Sequence, residues 1–201
     1  MLAIEPVTLT DGRIRLEPIA LSHIDALASA AEDGELWTIR VTWVPRPETT
    51  RSYVEDAIQH RTEGHRLPFV VVDLENGNRV VGTTSYHDIV HEIDRLEIGW
   101  TWYAKSVQRS HVNTCAKLLL FTHAFETLGA KLVGLRTDNF NLASQKAIER
   151  LGAKKDGVLR HHTQRSDGTV RDTVMYSVTA GEWPEVKAHL GYLQAKSRSG
   201  R

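Results

Sequence analysis

Three groups of residues in this chain have types and spacing suited to chemistry. Asn141 and Ser144 stand three positions apart at what reads as a helix entry, with Leu142 and Ala143 between them. Asn141 suits an N-cap. The Ser144 hydroxyl can reach a ligand arriving beside the helix start, although a plain surface serine fits the pattern too. The bend Gln108-Arg109-Ser110-His111-Val112-Asn113-Thr114 precedes a long apolar-faced helix. Free backbone N–H groups at such a start form an anion site, and Arg109, Ser110 or Thr114 can assist in holding a phosphate. The bland alternative is a solvated loop capped by Asn113. Glu97 is the acid inside a strongly patterned strand, on the side opposite Leu96 and Ile98. In a cleft it can take a proton; on a wet face it is ordinary.

Other candidates carry less. His87, His91 and Asp94 lie between two strand-like runs without a convincing metal-ligand spacing. His161 and His162 are sequence neighbours and point to opposite faces of a strand. No thiol–histidine or serine–histidine–aspartate arrangement stands out, so metal and covalent-triad chemistry are set aside. Trp37 and Trp43 lie in a segment closed by Pro45 and Pro47. That segment reads as a loop on the core or as the wall of a substrate pocket.

The positioning elements follow from periodicity. Leu96, Ile98, Trp100 and Trp102 alternate with Glu97, Gly99, Thr101 and Tyr103 as in a strand packed on one face. Leu118, Phe121, Phe125 and Leu128 then step round a helix from Thr114 that Gly129 ends. Upstream come a strand at Ile14–Leu16 and a helix marked by Leu21, Ile24 and Leu27, with Ser22 and Asp25 spaced as a capping pair. A further helix carries Val54, Ala57 and Ile58. Two strands joined through Glu75-Asn76-Gly77-Asn78 follow, with Gly82 predicting a bulge or a close backbone approach. Downstream, the reading is a strand at Lys131–Thr137, a helix from Leu142 to Leu151, a hairpin through Ser166-Asp167-Gly168 and a short helix from Trp183 to about Leu190. The fold class is α/β, a mixed sheet with helices on both faces.

Composition sets the bounds. A chain of 201 residues, 41 % hydrophobic, can fill one core, read here as one domain over 1–193 with a mobile basic tail over 194–201. Lys and Arg balance Asp and Glu at 25 each, so no global field draws nucleic acid or anionic membrane. One cysteine, Cys115, reads as a structural thiol in a reducing compartment. With no apolar run long enough to span a bilayer and no signal pattern, a cytoplasmic protein is the expectation.

Taken in order, Leu-Glu-Ile-Gly-Trp (96–100), Asn-Thr-Cys-Ala-Lys-Leu-Leu-Leu (113–120), His-Ala-Phe-Glu-Thr-Leu-Gly-Ala (123–130) and the run from Asn139 to Ala153 resemble the GCN5-related N-acetyltransferase (GNAT) superfamily. Within it they resemble the ribosomal-protein N-terminal acetyltransferase (RimJ/RimL-like) branch. The resemblance runs from about Arg13 to Leu190 and implies an acyl-CoA N-acyltransferase fold. It implies that acetyl-CoA is the donor and enters where the strand at Leu96–Tyr103 splays from the strand at Lys131–Thr137. The family's phosphate motif falls on Gln108, His111 and Asn113, where two small positions are replaced. On that match Trp100, Trp102, Gln108, Arg109, Ser110, His111, Val112, Asn113, Thr114, Asn141 and Ser144 face the donor. Ser144 is the candidate to protonate the departing thiolate.

The implied chemistry is direct attack of a neutral amine on the thioester, with backbone N–H groups along Glu97–Trp102 polarising the carbonyl. Glu97 is the first candidate base, with His91 and Asp94 as alternatives; Trp37, Trp43, His91 and Asp94 line the acceptor pocket. The partners expected are acetyl-CoA and an amine acceptor, peptide or small molecule, with no metal, nucleic acid or membrane. An exposed strand edge or the Trp37–Trp43 segment offers a surface for a homodimer. The alternative is a non-catalytic CoA-binding or protein-interaction module on the same fold.

Overall fold

In the computed structural model, which describes residues 2–199, the strands are β1 (Leu9–Thr10), β2 (Ile14–Pro18), β3 (Arg66–Asp73), β4 (Arg79–Val90), β5 (Arg95–Tyr103), β6 (Leu132–Asp138), β7 (Lys154–Gln164) and β8 (Val170–Thr179). They form one mixed sheet in the order β1-β2-β3-β4-β5-β6-β8-β7. The helices are α1 (Ile24–Glu32), α2 (Thr50–Thr62), α3 (Val112–Thr122), α4 (Leu142–Arg150) and α5 (Trp183–Ser199). Tyr53 of α2 bonds Thr83 on one face of β4, while Tyr86, three positions on, bonds the Leu120 carbonyl of α3 from the other face. Helices therefore cover both faces. Phe69, Tyr86, Phe121 and Tyr176 are among the largest fully enclosed side chains, each worth about 1.5–3 kcal/mol of burial. Among the described residues no helix is long and apolar enough to cross a membrane.

Three local expectations change. α3 begins at Val112 after His111, so Asn113 lies in its first turn instead of capping it. Ser22 and Asp25 form no capping pair, because a short turn at Leu21–His23 precedes α1 and the Ala20 N–H donates to His23 Nδ1 at 3.0 Å. α5 continues past Leu190 to Ser199, so residues 194–199 of the expected tail are helical, and 200–201 lie outside the described residues. Its last turns are tied down: Gln194 donates to Asp11 at 2.5 Å, and Arg13 donates to Ser197 at 2.8 Å.

The feature that makes a site is the parting of β5 from β6. These parallel neighbours pair only at Arg95↔Leu132, Leu96↔Val133 and Glu97↔Gly134. Beyond that point β5 stays with β4 and β6 stays with β8. β5 also bulges where Trp100 and Thr101 oppose Thr84, and Trp100 adopts φ +51°. Gly82 carries the close approach expected of it: at φ +154° a β-carbon there would lie 2.0 Å from the Trp102 carbonyl oxygen. Gly82→Ala is expected to cost roughly 2–4 kcal/mol of stability, read as a lowered urea midpoint. An unchanged midpoint would contradict this packing of β4 on β5.

Candidate active site

Glu97 belongs to the last residue pair before the strands diverge, at the apex of the cleft. Its side chain is fully buried (0 % exposed). Such a carboxylate is tenable only with cationic partners. Arg95 donates to Oε1, and Arg136 Nε lies 3.4 Å from Oε2. Oε2 itself accepts no hydrogen bond among the described residues, although it is enclosed. Two glycines make the room. A β-carbon at Gly134 would sit 2.7 Å from Glu97 Cγ, and one at Gly99 would sit 2.2 Å from His87 Nε2.

His87 faces Glu97 directly across β4 and β5. Arg136 ties this group together, reaching Asp88 at 2.5 Å and His87 Nδ1 at 3.3 Å. Ligand atoms of His87, Asp88 and Glu97 all fall within 4.8 Å of one another, and the cation they meet in this structure is Arg136. Sequence reasoning offers Arg136 only as a positive charge near the phosphate bend or a solvated residue, does not single out Asp88 and leaves His87 without a role, since only the strand register unites them.

The expected acceptor residues divide. Trp43 meets the bulge, its ring 5.7 Å from that of Trp100 in an edge-on contact and 5.4 Å from Tyr53. Trp37 instead packs against the core. His91 and Asp94 occupy the β4–β5 turn, at the closed end of the parallel pair. There His91 lines a groove against the N-terminal arm, away from the opening. The segment around Trp43 is strapped across the cleft mouth: Asn141 Nδ2 donates to the Val41 carbonyl at 3.4 Å, and Arg40 pairs with Asp167 of the β7–β8 turn at 2.7 Å. Asn141 also caps α4 through the Ser144 N–H at 3.0 Å, as the sequence predicts. Ser144 is half-buried in the first turn.

The opposite side of the bulge holds a residue that the helical pattern had not singled out. Lys117 of α3 is 4 % exposed and donates to Thr101 at 2.8 Å and Thr84 at 3.2 Å. Desolvation pulls its ammonium from the ordinary 10.5 down to about 7. The unfolded chain therefore binds more protons between those values, and stability rises with pH across that window. Lys117→Met is expected to abolish a gain on the order of 2 kcal/mol between about pH 7 and 9.5, followed by urea unfolding at stepped pH. A wild-type profile equally flat would refute the lowered pKa of the buried amine. Cys115, nearby on α3, is an enclosed thiol pushed up to about 11 by burial, consistent with a structural role.

At the start of α3 the N–H groups of Asn113 and Thr114 find no acceptor among the described residues. Val112 N donates to Ser110 Oγ, while Gln108 pins the bend by donating to the Tyr103 carbonyl at 3.0 Å. His111 tucks beneath the bend, 5 % exposed, with Nε2 3.3 Å from Asp73. The larger residue thus turns inward. A cleft of about 470 Å³ opens here, lined by Arg109, Ser110, Thr114, Arg150 and, from α5, Lys196. Arg150 and Lys196 were not anticipated; both depend on where the distant helices α4 and α5 end. Donor hydrogens with surrounding guanidinium and ammonium groups can bind phosphate.

The profile of the acetyltransferase (GNAT) domain matches residues 13–154. A crystal structure from T. thermophilus, assigned to the acetyltransferases, is 35 % identical, with 96 % of this chain and 98 % of that one covered and a TM-score of 0.82. The uncharacterized N-acetyltransferase p20 of Bacillus licheniformis is 25 % identical over 181 residues, 88 % of this chain and 98 % of that protein. The ribosomal L7/L12 α-N-protein acetyltransferase RimL, solved with coenzyme A, shares the fold at 20 % identity, with a TM-score of 0.72 over 87 % of this chain and 98 % of that one.

Proposed function

From the premise that this chain belongs to the GNAT acetyltransferase family, we propose that it transfers acetyl from acetyl-CoA directly to a primary amine, with Glu97 as the proton acceptor. A peptide or protein N-terminus is the first acceptor class to test. The observation that carries this reading is the enclosed Glu97 Oε2, which accepts no hydrogen bond among the described residues and has Arg136 Nε at 3.4 Å, at the apex where β5 and β6 part. A carboxylate so placed can take the proton of an amine entering the cleft.

The donor supplies an activated thioester; the chain supplies placement and charge. The N–H groups of Asn113 and Thr114, with Arg109, Arg150 and Lys196 round the cleft, fit the phosphates. Asn141 and the bulge at Trp100–Thr101 flank the acyl arm, and the backbone N–H groups of the bulge are candidates to polarise the carbonyl. Ser144, one turn into α4, is the proposed proton source for the leaving sulfur. Trp43 and Trp100 wall the acceptor side.

Thermal protection by acetyl-CoA and CoA, compared with ATP, tests donor binding, and Asn141→Ala is expected to weaken it. Lack of saturable protection by either CoA form would overturn the reading. Glu97→Gln is expected to keep protection while lowering kcat about 10²–10⁴-fold with a reactive amine, and Ser144→Ala is expected to reduce kcat with less effect on donor protection. A Glu97→Gln variant with unchanged kcat would remove Glu97 from the mechanism.

A further inference from the structure

We infer that the acceptor carries an anionic group, a carboxylate or a phosphate, that binds the Arg66 guanidinium beside the Trp43–Trp100 pair; this rests on the acetyl-transfer reading above. Three arginines are enclosed among the described residues: Arg13, Arg66 and Arg165. Arg13 pairs with Glu75 at 2.7 Å, and Arg165 grips Asp138 through two nitrogens at 2.6 and 3.0 Å. Arg66, only 5 % exposed, makes no ion pair among the described residues.

Its partners are neutral. Nε donates to Ser85 Oγ at 2.8 Å, and one terminal nitrogen donates to the Tyr53 hydroxyl at 3.2 Å. The guanidinium carbon lies 4.4 Å from the Trp100 ring centre and 5.6 Å from that of Tyr53. Ring contacts and neutral hydrogen bonds recover part of the cost of burying a cation, but an anion is the partner that offsets it fully. The remaining terminal nitrogen donates to no group among the described residues. The nearby carboxylates are already held, Glu97 by Arg95 and Arg136, and Asp88 by Arg136.

The register puts this cation at a useful distance. Arg66 opposes His87, and His87 opposes Glu97, so all three stand in one row on one face of the sheet. Two strand spacings separate β3 from β5, about 10 Å, a span that one small molecule or one peptide residue can bridge. Arg66 reaches from this row towards Ser85, which opposes Gly99, and lies under Trp100 at the bulge. An acceptor with its anion on Arg66 can thus present its amine to the cleft apex. Trp43, half-exposed, covers its apolar part.

The test uses the full chain with three matched pairs: phenylalanine and phenylalaninamide, aspartyl-alaninamide and asparaginyl-alaninamide, phosphoserinamide and serinamide. CoA release from acetyl-CoA and thermal protection in the presence of CoA are both read. The acidic member of at least one pair is expected to be preferred about 10-fold or more, as one charge-assisted contact allows. The carboxylate and phosphate pairs tell which anion is bound. Arg66→Gln is expected to erase the preference while leaving acetyl-CoA protection intact. Arg66→Met, which removes the buried charge, is expected to keep or raise the melting temperature. Equal use or binding of both members of every pair by the wild type overturns the inference, as does a preference that survives Arg66→Gln. Lack of acetyl-CoA protection in the wild type strikes the acetyl-transfer reading instead, and the acid-over-neutral difference in protection is scored separately from it.

Discussion

The pairing of β5 with β6 extends over three residue pairs and then stops, and the cleft between them depends on that limit. Parallel neighbours need a long crossover, which α3 supplies, so the same chain path that joins the strands delivers a helix start beside their opening. Each strand beyond the junction is retained by its other neighbour, β4 or β8. The gap is therefore fixed by backbone hydrogen bonds on both outer sides. Arg136 lies two residues past the junction and reaches back to Glu97 at its apex, bridging the divergence with charge where the backbone no longer does.

Buried basic side chains stand on both sides of the β5 bulge. Arg66 stacks on Trp100 from the face covered by α2, and Lys117 bonds Thr101 from the face covered by α3. Neither has a carboxylate partner among the described residues. Enclosing basic groups in this way is costly, and for Lys117 the cost appears as an ammonium pulled down to about 7; the Arg66 guanidinium leaves a positive field at the strand irregularity. The bulge supplies geometry and the two side chains supply hydrogen-bond donors. These contributions arise from elements widely separated in sequence.

Much of the scaffold was legible in the residue pattern. The alternation across 96–103, the apolar stripe of α3, the Asp-Gly hairpin and the Asn141 cap each rest on local chemistry, and each has its counterpart in the structure. The site was legible only in part, because its members meet through register. Nothing near Glu97 in sequence points to Arg136, His87 or Arg66, which reach it only when β3, β4 and β6 align. His91 and Asp94 mislead for the converse reason: they adjoin β5 in sequence, but the turn holds them at the closed end. The end of α5 was missed because a basic, serine-containing stretch reads as unbound, whereas Asp11 and Arg13 from the first strands anchor it.

That anchoring bears on the order in which the protein comes into being. One wall of the cleft at α3 is built from Leu193, Lys196 and Ser197, facing Arg13 and Arg109 from far earlier in the chain. In vectorial synthesis β4, β5 and β6, which form the bulge and the Glu97 apex, all precede α5. The cleft at α3 needs α5 as well. The elements round Glu97 are thus made before the α5 wall of this cleft, which is complete only once the last turns of α5 have docked on Asp11 and Arg13.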